Sequence, residues 1–105
     1  MAVKKQFKNF DDLLAQSDVP VLVDFYATWC GPCQLMVPIL ADLQARMGKQ
    51  LQVVKIDSDK YPQLASKYHI QALPTLVLFK EGQPVDRIEG AMKLQPLVER
   101  LNASI

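Results

Sequence analysis

Two cysteines, Cys30 and Cys33, stand three positions apart in Trp29-Cys30-Gly31-Pro32-Cys33, and the chain holds no others. A Cys-x-x-Cys pair can close a disulfide on itself. Because cross-link stabilisation grows with the loop enclosed, so small a ring adds little to stability. The pair is suited to opening and closing, which points to thiol–disulfide exchange. Zinc binding is a competing use, but a zinc site draws on four ligands, usually from a second Cys pair or a Cys/His cluster. Only one histidine, His69, is present, so no metal is expected. An inert structural pair is the remaining alternative.

A second residue stands out by its setting. Asp24 interrupts Val21-Leu22-Val23-Asp24-Phe25-Tyr26, and a carboxylate in such an apolar run is costly unless it is paired or functional. Lys55, on the next strand-like run, is its natural structural partner.

The elements that must position these groups follow from pattern. Pro20 to Tyr26 reads as a strand buried on both faces, hence central in a sheet flanked by helices. The cysteine motif comes directly after it. Pro32 fits the opening turn of the next helix, where a missing N–H is tolerated. That helix runs from Cys33 to Met47, with Met36, Leu40, Leu43 and Met47 on one face, Pro38 as a kink, and Gly48 as its end. Cys30 thus precedes a helix whose unpaired N–H groups and dipole favour a thiolate, while Cys33 lies in its first turn. Between Phe25 and Ala41 there is no carboxylate, Lys, Arg or His. Docking near the thiols should therefore rest on shape and backbone.

Elsewhere, Val3 to Phe7 is a short edge-strand candidate, and Asn9 caps a helix with Phe10, Leu13 and Leu14 on its apolar face. Leu51 to Ile56 reads as a second buried strand, with Asp57-Ser58-Asp59 as turn and cap. Tyr61 to Tyr68 is a short helix ended by His69, a residue that tolerates the left-handed cap expected there. Thr75 to Phe79 is a third strand, joined by Lys80-Glu81-Gly82-Gln83 to a fourth, Pro84 to Glu89. Leu94 to Leu101 closes the chain as a helix. Alternating strands and helices, then a hairpin and a last helix, imply a mixed sheet covered on both faces.

The bulk numbers set limits on function. At 105 residues, half of them hydrophobic and 22% charged, the chain is one globular domain, residues 1–105. A net charge of +1 with scattered basic residues gives no nucleic-acid footprint. No apolar run approaches a membrane span, and Met1-Ala2-Val3-Lys4-Lys5-Gln6 lacks a signal-peptide layout. Two cysteines without a disulfide framework suit a reducing compartment. The expected location is cytoplasmic, or the chloroplast stroma where a transit peptide has been removed.

Taken in order and spacing, Asp24 to Cys33, Pro38, Val53-Val54-Lys55-Ile56-Asp57, Leu73-Pro74-Thr75 and Gly90 resemble the thioredoxin family over essentially the whole chain. The stretch Cys33 to Pro38 is similar to the cyanobacterial and plastid members. The resemblance implies an α/β thioredoxin fold, a central five-stranded mixed sheet flanked by four α-helices. It implies a monomeric protein-disulfide reductase without a cofactor, re-reduced by an NADPH- or ferredoxin-linked thioredoxin reductase. Cys30 would be the nucleophile and Cys33 the resolving thiol, with Asp24 taking the Cys33 proton and Lys55 beside it. Leu73–Pro74 would be cis, and Trp29, Gly31, Pro32, Ile70, Leu73, Pro74, Gly90 and Ala91 would form the substrate contact surface. Gln34, His69, Ala72 and Glu89 depart from the family pattern around that surface. A disulfide oxidase or isomerase, and a redox-inert subunit of a larger assembly, are the alternative functions; Gly31-Pro32 favours the reductase.

Overall fold

The structure, a computed structural model, describes residues 9–105. Along the chain the elements are α1 (Phe10–Gln16), β1 (Val21–Tyr26), α2 (Gly31–Met47), β2 (Gln52–Asp57), α3 (Pro62–Lys67), β3 (Thr75–Lys80), β4 (Gln83–Glu89) and α4 (Leu94–Ser104). The described residues therefore form four strands rather than the five expected. The predicted strand Val3 to Phe7 lies outside them.

The sheet order is β2-β1-β3-β4. β1 runs parallel to β2, with Asp24 opposite Lys55, and antiparallel to β3, with Asp24 opposite Leu76. β3 and β4 form the expected hairpin. Its turn carries Glu81 at φ 52° and Gly82 at φ 79°, two consecutive positive values whose twist matches that of the paired strands.

Side chains alternate across a strand, and the alternation divides the core. Leu22, Leu76, Leu78 and Ile88 pack with Met36, Leu40, Leu43 and Met47 of α2 and with Leu97 and Leu101 of α4. On the other face Val21, Val23, Phe25, Val77 and Phe79 pack with Leu14 of α1. There the rings of Phe10, Tyr68 and Phe79 meet edge to face, 5.2–5.8 Å between centroids. Asp24 shares the parity of Leu22 and so lies on the face covered by α2.

The β2 expectation needs correcting. Only Ile56 and Asp57 of that strand are buried, while Val53 and Val54 are half-buried and Lys55 is exposed. Among the described residues β2 ends the sheet and pairs on one side only, so it lacks the second neighbour that buries β1 and β3. The helix after the cysteines starts at Gly31, two residues earlier than predicted, and runs through Pro38 to Met47. No helix of the described residues is long and apolar enough to cross a membrane.

Candidate active site

β1 ends at Tyr26 and α2 begins at Gly31, so the cysteine motif sits where the central strand hands over to its covering helix. Cys30 is the N-cap of α2, extended at φ −85°, and its Sγ accepts the Cys33 backbone N–H at 3.2 Å. Pro32 occupies the first turn, where it has no N–H to leave unpaired. The sulfur therefore takes the position that a Ser or Asp oxygen takes at an ordinary cap. Negative charge on it is favoured by the same amide and by the positive end of the helix.

Cys30 and Cys33 are joined by a disulfide, their Cα atoms 5.3 Å apart. Both are nearly buried and pack with Ala27, Tyr26 and Leu73. Cys30 reaches solvent in a groove of about 450 Å³ lined by Trp29, Cys30, Gly31, Pro32, Ser58, Ala65, Ile70, Gln71 and Leu73. None of these carries a formal charge. Met36 is in the core between α2 and the sheet, its Sδ accepting the Met92 N–H at 3.5 Å.

Of the predicted contact residues, Trp29, Gly31, Pro32, Ile70 and Leu73 meet in this groove. Pro74, Gly90 and Ala91 are not part of its wall. Pro74 is buried, behind Leu73, and the Leu73–Pro74 bond is cis as expected. Gly90, at φ 88°, donates its N–H to the Pro74 carbonyl at 2.8 Å. A side chain at that backbone angle would be strained, which accounts for the glycine. Ala91 is exposed.

Ser58, Ala65 and Gln71 were not anticipated in the groove. Ser58 follows Asp57, whose buried carboxylate accepts the Asp59 N–H at 2.9 Å and the Lys60 N–H at 3.4 Å. That turn places Asp59 Oδ2 2.9 Å from the indole Nε1 of Trp29, which donates to it. Trp29 is 72% exposed, and this bond ties its ring to the Asp59 turn at the edge of the groove. A turn-forming Asp-x-Asp was legible in the sequence; its reach to Trp29 was not. Asp59→Ala should free the ring and raise KM for protein disulfides about two- to fivefold, as expected for losing one exposed hydrogen bond. Because Trp29 is the sole tryptophan, fluorescence anisotropy reads its freedom directly. Unchanged anisotropy and KM would show that the bond does not hold the ring.

Asp24 is not part of the groove wall; it is buried within β1, on the sheet face that α2 covers. It is 3% exposed, and its Oδ1 has no hydrogen-bond partner among the described residues. Burial pushes its pKa from the ordinary 3.8 up to about 6, and the Lys55 charge pulls the other way. Lys55 stands opposite in register but makes no ion pair within 4 Å with Asp24 among the described residues. The structural partnership expected from sequence is thus a long-range field, not a contact. Cys33 and Met36 come inward from α2 toward the sheet face that carries Asp24. Gln34 points away, its side-chain amide donating to the Thr28 carbonyl at 3.4 Å.

Comparison with known proteins agrees with this arrangement. A protein-family model described as Thioredoxin matches residues 1–103. The chain belongs to the thioredoxin family. It is 60% identical to a thioredoxin-like protein of a Synechocystis species, with both chains covered completely. It is 61% identical to Thioredoxin Y2, chloroplastic, and 56% identical to Thioredoxin Y1, chloroplastic, both of Arabidopsis thaliana. Each of those alignments covers 99% of this chain, which spans about three-fifths of the plant proteins' length. The bonded pair Cys30–Cys33 is the redox-active disulfide of a thiol–disulfide oxidoreductase that works by dithiol–disulfide exchange.

Proposed function

We propose that this thioredoxin reduces disulfides in other proteins, with Cys30 as the attacking thiolate and Cys33 as the resolving thiol. The observation that carries the assignment is the Cys30 sulfur capping α2 at the floor of an uncharged groove. Thiols at helix N-termini are more acidic than free cysteine as a rule, and thioredoxin is a standing example of it. In the reduced protein, Cys30 attacks one sulfur of the substrate disulfide and displaces the other as a thiolate, leaving a mixed disulfide. Cys33 then gives up its proton to the Asp24 carboxylate and attacks the Cys30 sulfur. The second substrate thiolate leaves, and two electrons have passed from the pair to the substrate. Trp29, Gly31, Pro32, Ile70 and Leu73 hold the substrate segment, Gly90 and Ala91 extend the contact beyond the groove, and the buried Pro74 sets the cis turn under Leu73.

The oxidised pair is returned to dithiol by a thioredoxin reductase, NADPH- or ferredoxin-linked. The chain works as a monomer in a reducing compartment, the cytoplasm or the chloroplast stroma; the names of the plant relatives support the stromal reading. The reductase and the oxidase readings differ in reduction potential. Equilibration with a dithiothreitol buffer should give a value near the −270 mV or so known for thioredoxin, rather than the −120 to −180 mV or so of oxidising and isomerising relatives. Insulin disulfides should be reduced in the same preparation. A potential above about −200 mV would replace the reductase reading with an isomerase or oxidase.

A further inference from the structure

Helix α3 ends on a left-handed residue that is not a glycine. His69 takes φ 55°, the left-handed conformation for which glycine is the usual residue. Around it the Ile70 N–H donates to the Ala65 carbonyl at 2.9 Å, and the His69 N–H to the Ser66 carbonyl at 3.1 Å. This is the paired pattern of a Schellman cap. The pattern satisfies carbonyls inside the helix and leaves those of Tyr68 and His69 open. Both are taken by one side chain from β4: the Arg87 guanidinium donates to the Tyr68 carbonyl and, at 3.0 Å, to the His69 carbonyl.

The segment so held leads straight into the groove. Ala65 and Ile70, the two ends of the cap, line it, and so do Gln71 and Leu73. We infer that Arg87 is a positioning residue for substrate docking: its forked contact fixes the cap after α3 and with it the Ile70–Leu73 wall beside Cys30. Lysine would not serve equally, because a single ammonium lacks the planar fork that meets two carbonyls at once. Arg87 is itself anchored. Its own carbonyl accepts from Arg100 at 3.0 Å, and Arg100 grips Asp86 through two bonds of 2.9 Å, which hold the Asp86 carboxyl below its usual range. The wall of the groove is thereby tied through β4 to α4. The inference rests on the groove being where the protein substrate lies.

Arg87→Met keeps the aliphatic stem and removes the donors. In hydrogen exchange its Ile70 amide should open at least about tenfold faster than in the wild type, the loss expected for a charged hydrogen bond, with the β1 and β3 amides unchanged. With insulin as substrate, KM should rise about fivefold while kcat stays within about twofold, and a small aromatic disulfide should be reduced at the wild-type rate. Arg46→Met, the same change on α2, where the guanidinium reaches Gln95 of α4 and not the cap, should keep Ile70 exchange within about twofold of wild type. Unchanged or uniformly faster exchange in Arg87→Met overturns the positioning role, and local loosening with unchanged KM overturns its link to docking. Should that variant not fold, Arg87→Lys is judged by the same measurements. A wild type that leaves insulin intact would overturn the functional reading instead, while the exchange data still decide what Arg87 holds.

Discussion

A Cys33→Ser protein incubated with a disulfide-bonded target should be recovered as a covalent one-to-one adduct, whereas Cys30→Ser should be recovered alone. The asymmetry follows from position. Cys30 Sγ caps α2 and lines the groove, while Cys33, just as buried, lies inside the first turn and is not part of the groove wall. Only the first can meet a foreign disulfide. Only the second is placed to attack the mixed disulfide from behind, over a Cα separation of 5.3 Å. Turnover of insulin should fall to background in both variants, but for different reasons. Cys30→Ser lacks a nucleophile; Cys33→Ser completes one attack and stops. The trapped bond should release only when an external dithiol is added, since exchange needs an attacking thiolate. Gel separation without reductant reads the result. Turnover by Cys33→Ser without added dithiol would reverse the assignment of roles.

Asp24→Asn should make the oxidised protein more stable at pH 7 and slower in the second half of its reaction. The wild-type carboxyl is raised from 3.8 to about 6, first by burial and against the pull of Lys55. A raised carboxyl pKa means that the folded state keeps its proton longer than the unfolded state. Stability is therefore full below about pH 4, declines as pH rises toward 6, and is level above that. At 1.36 kcal/mol per tenfold, the shift corresponds to about 3 kcal/mol of destabilisation at neutral pH. The amide that replaces the carboxyl is still buried, so the net gain should be about 1–3 kcal/mol. With no ion pair to Lys55, little should offset it. Urea titrations from pH 4 to 8 should show the two proteins separating between pH 4 and 6 and running parallel beyond. In stopped-flow reduction of a protein disulfide, attack by Cys30 should be nearly unaffected. Release by Cys33 should slow by about 100-fold, the lower end of what a positioned base contributes. A variant less stable at pH 7, or one that loses the first step and keeps the second, contradicts this account.

What could be read from the chain depended on whether a feature is local. β1 and β3 are continuous apolar runs, and α2 carries Met36, Leu40, Leu43 and Met47 at helical spacing, so the centre of the fold was visible in the order of residues. The start of α2 was legible to within two residues, because a helix start leaves its mark locally, but the capping role of the Cys30 sulfur was not. The hairpin and the left-handed His69 were legible for the same reason. The shortfalls are non-local. Val53 and Val54 look like core in composition, and only the sheet order reveals that their strand lacks a second neighbour among the described residues. Asp59 reaches Trp29 across 30 positions and Arg87 reaches His69 across 18. Neither has a periodicity to betray it. Lys55 shows the opposite error: register put it opposite Asp24, yet its side chain points to solvent.

The placement of the cysteines has a kinetic consequence. Cys30 meets solvent at the floor of the groove and Cys33 is hidden behind it, so an electron donor and an electron acceptor must use the same doorway. Neither can be bound while the other is joined to Cys30. The two half-reactions therefore alternate as a ping-pong shuttle, in which a crowd of oxidised targets and a crowd of reductase molecules each act as competitive inhibitors of the other's access. Flux through such a carrier depends on how briefly each partner stays.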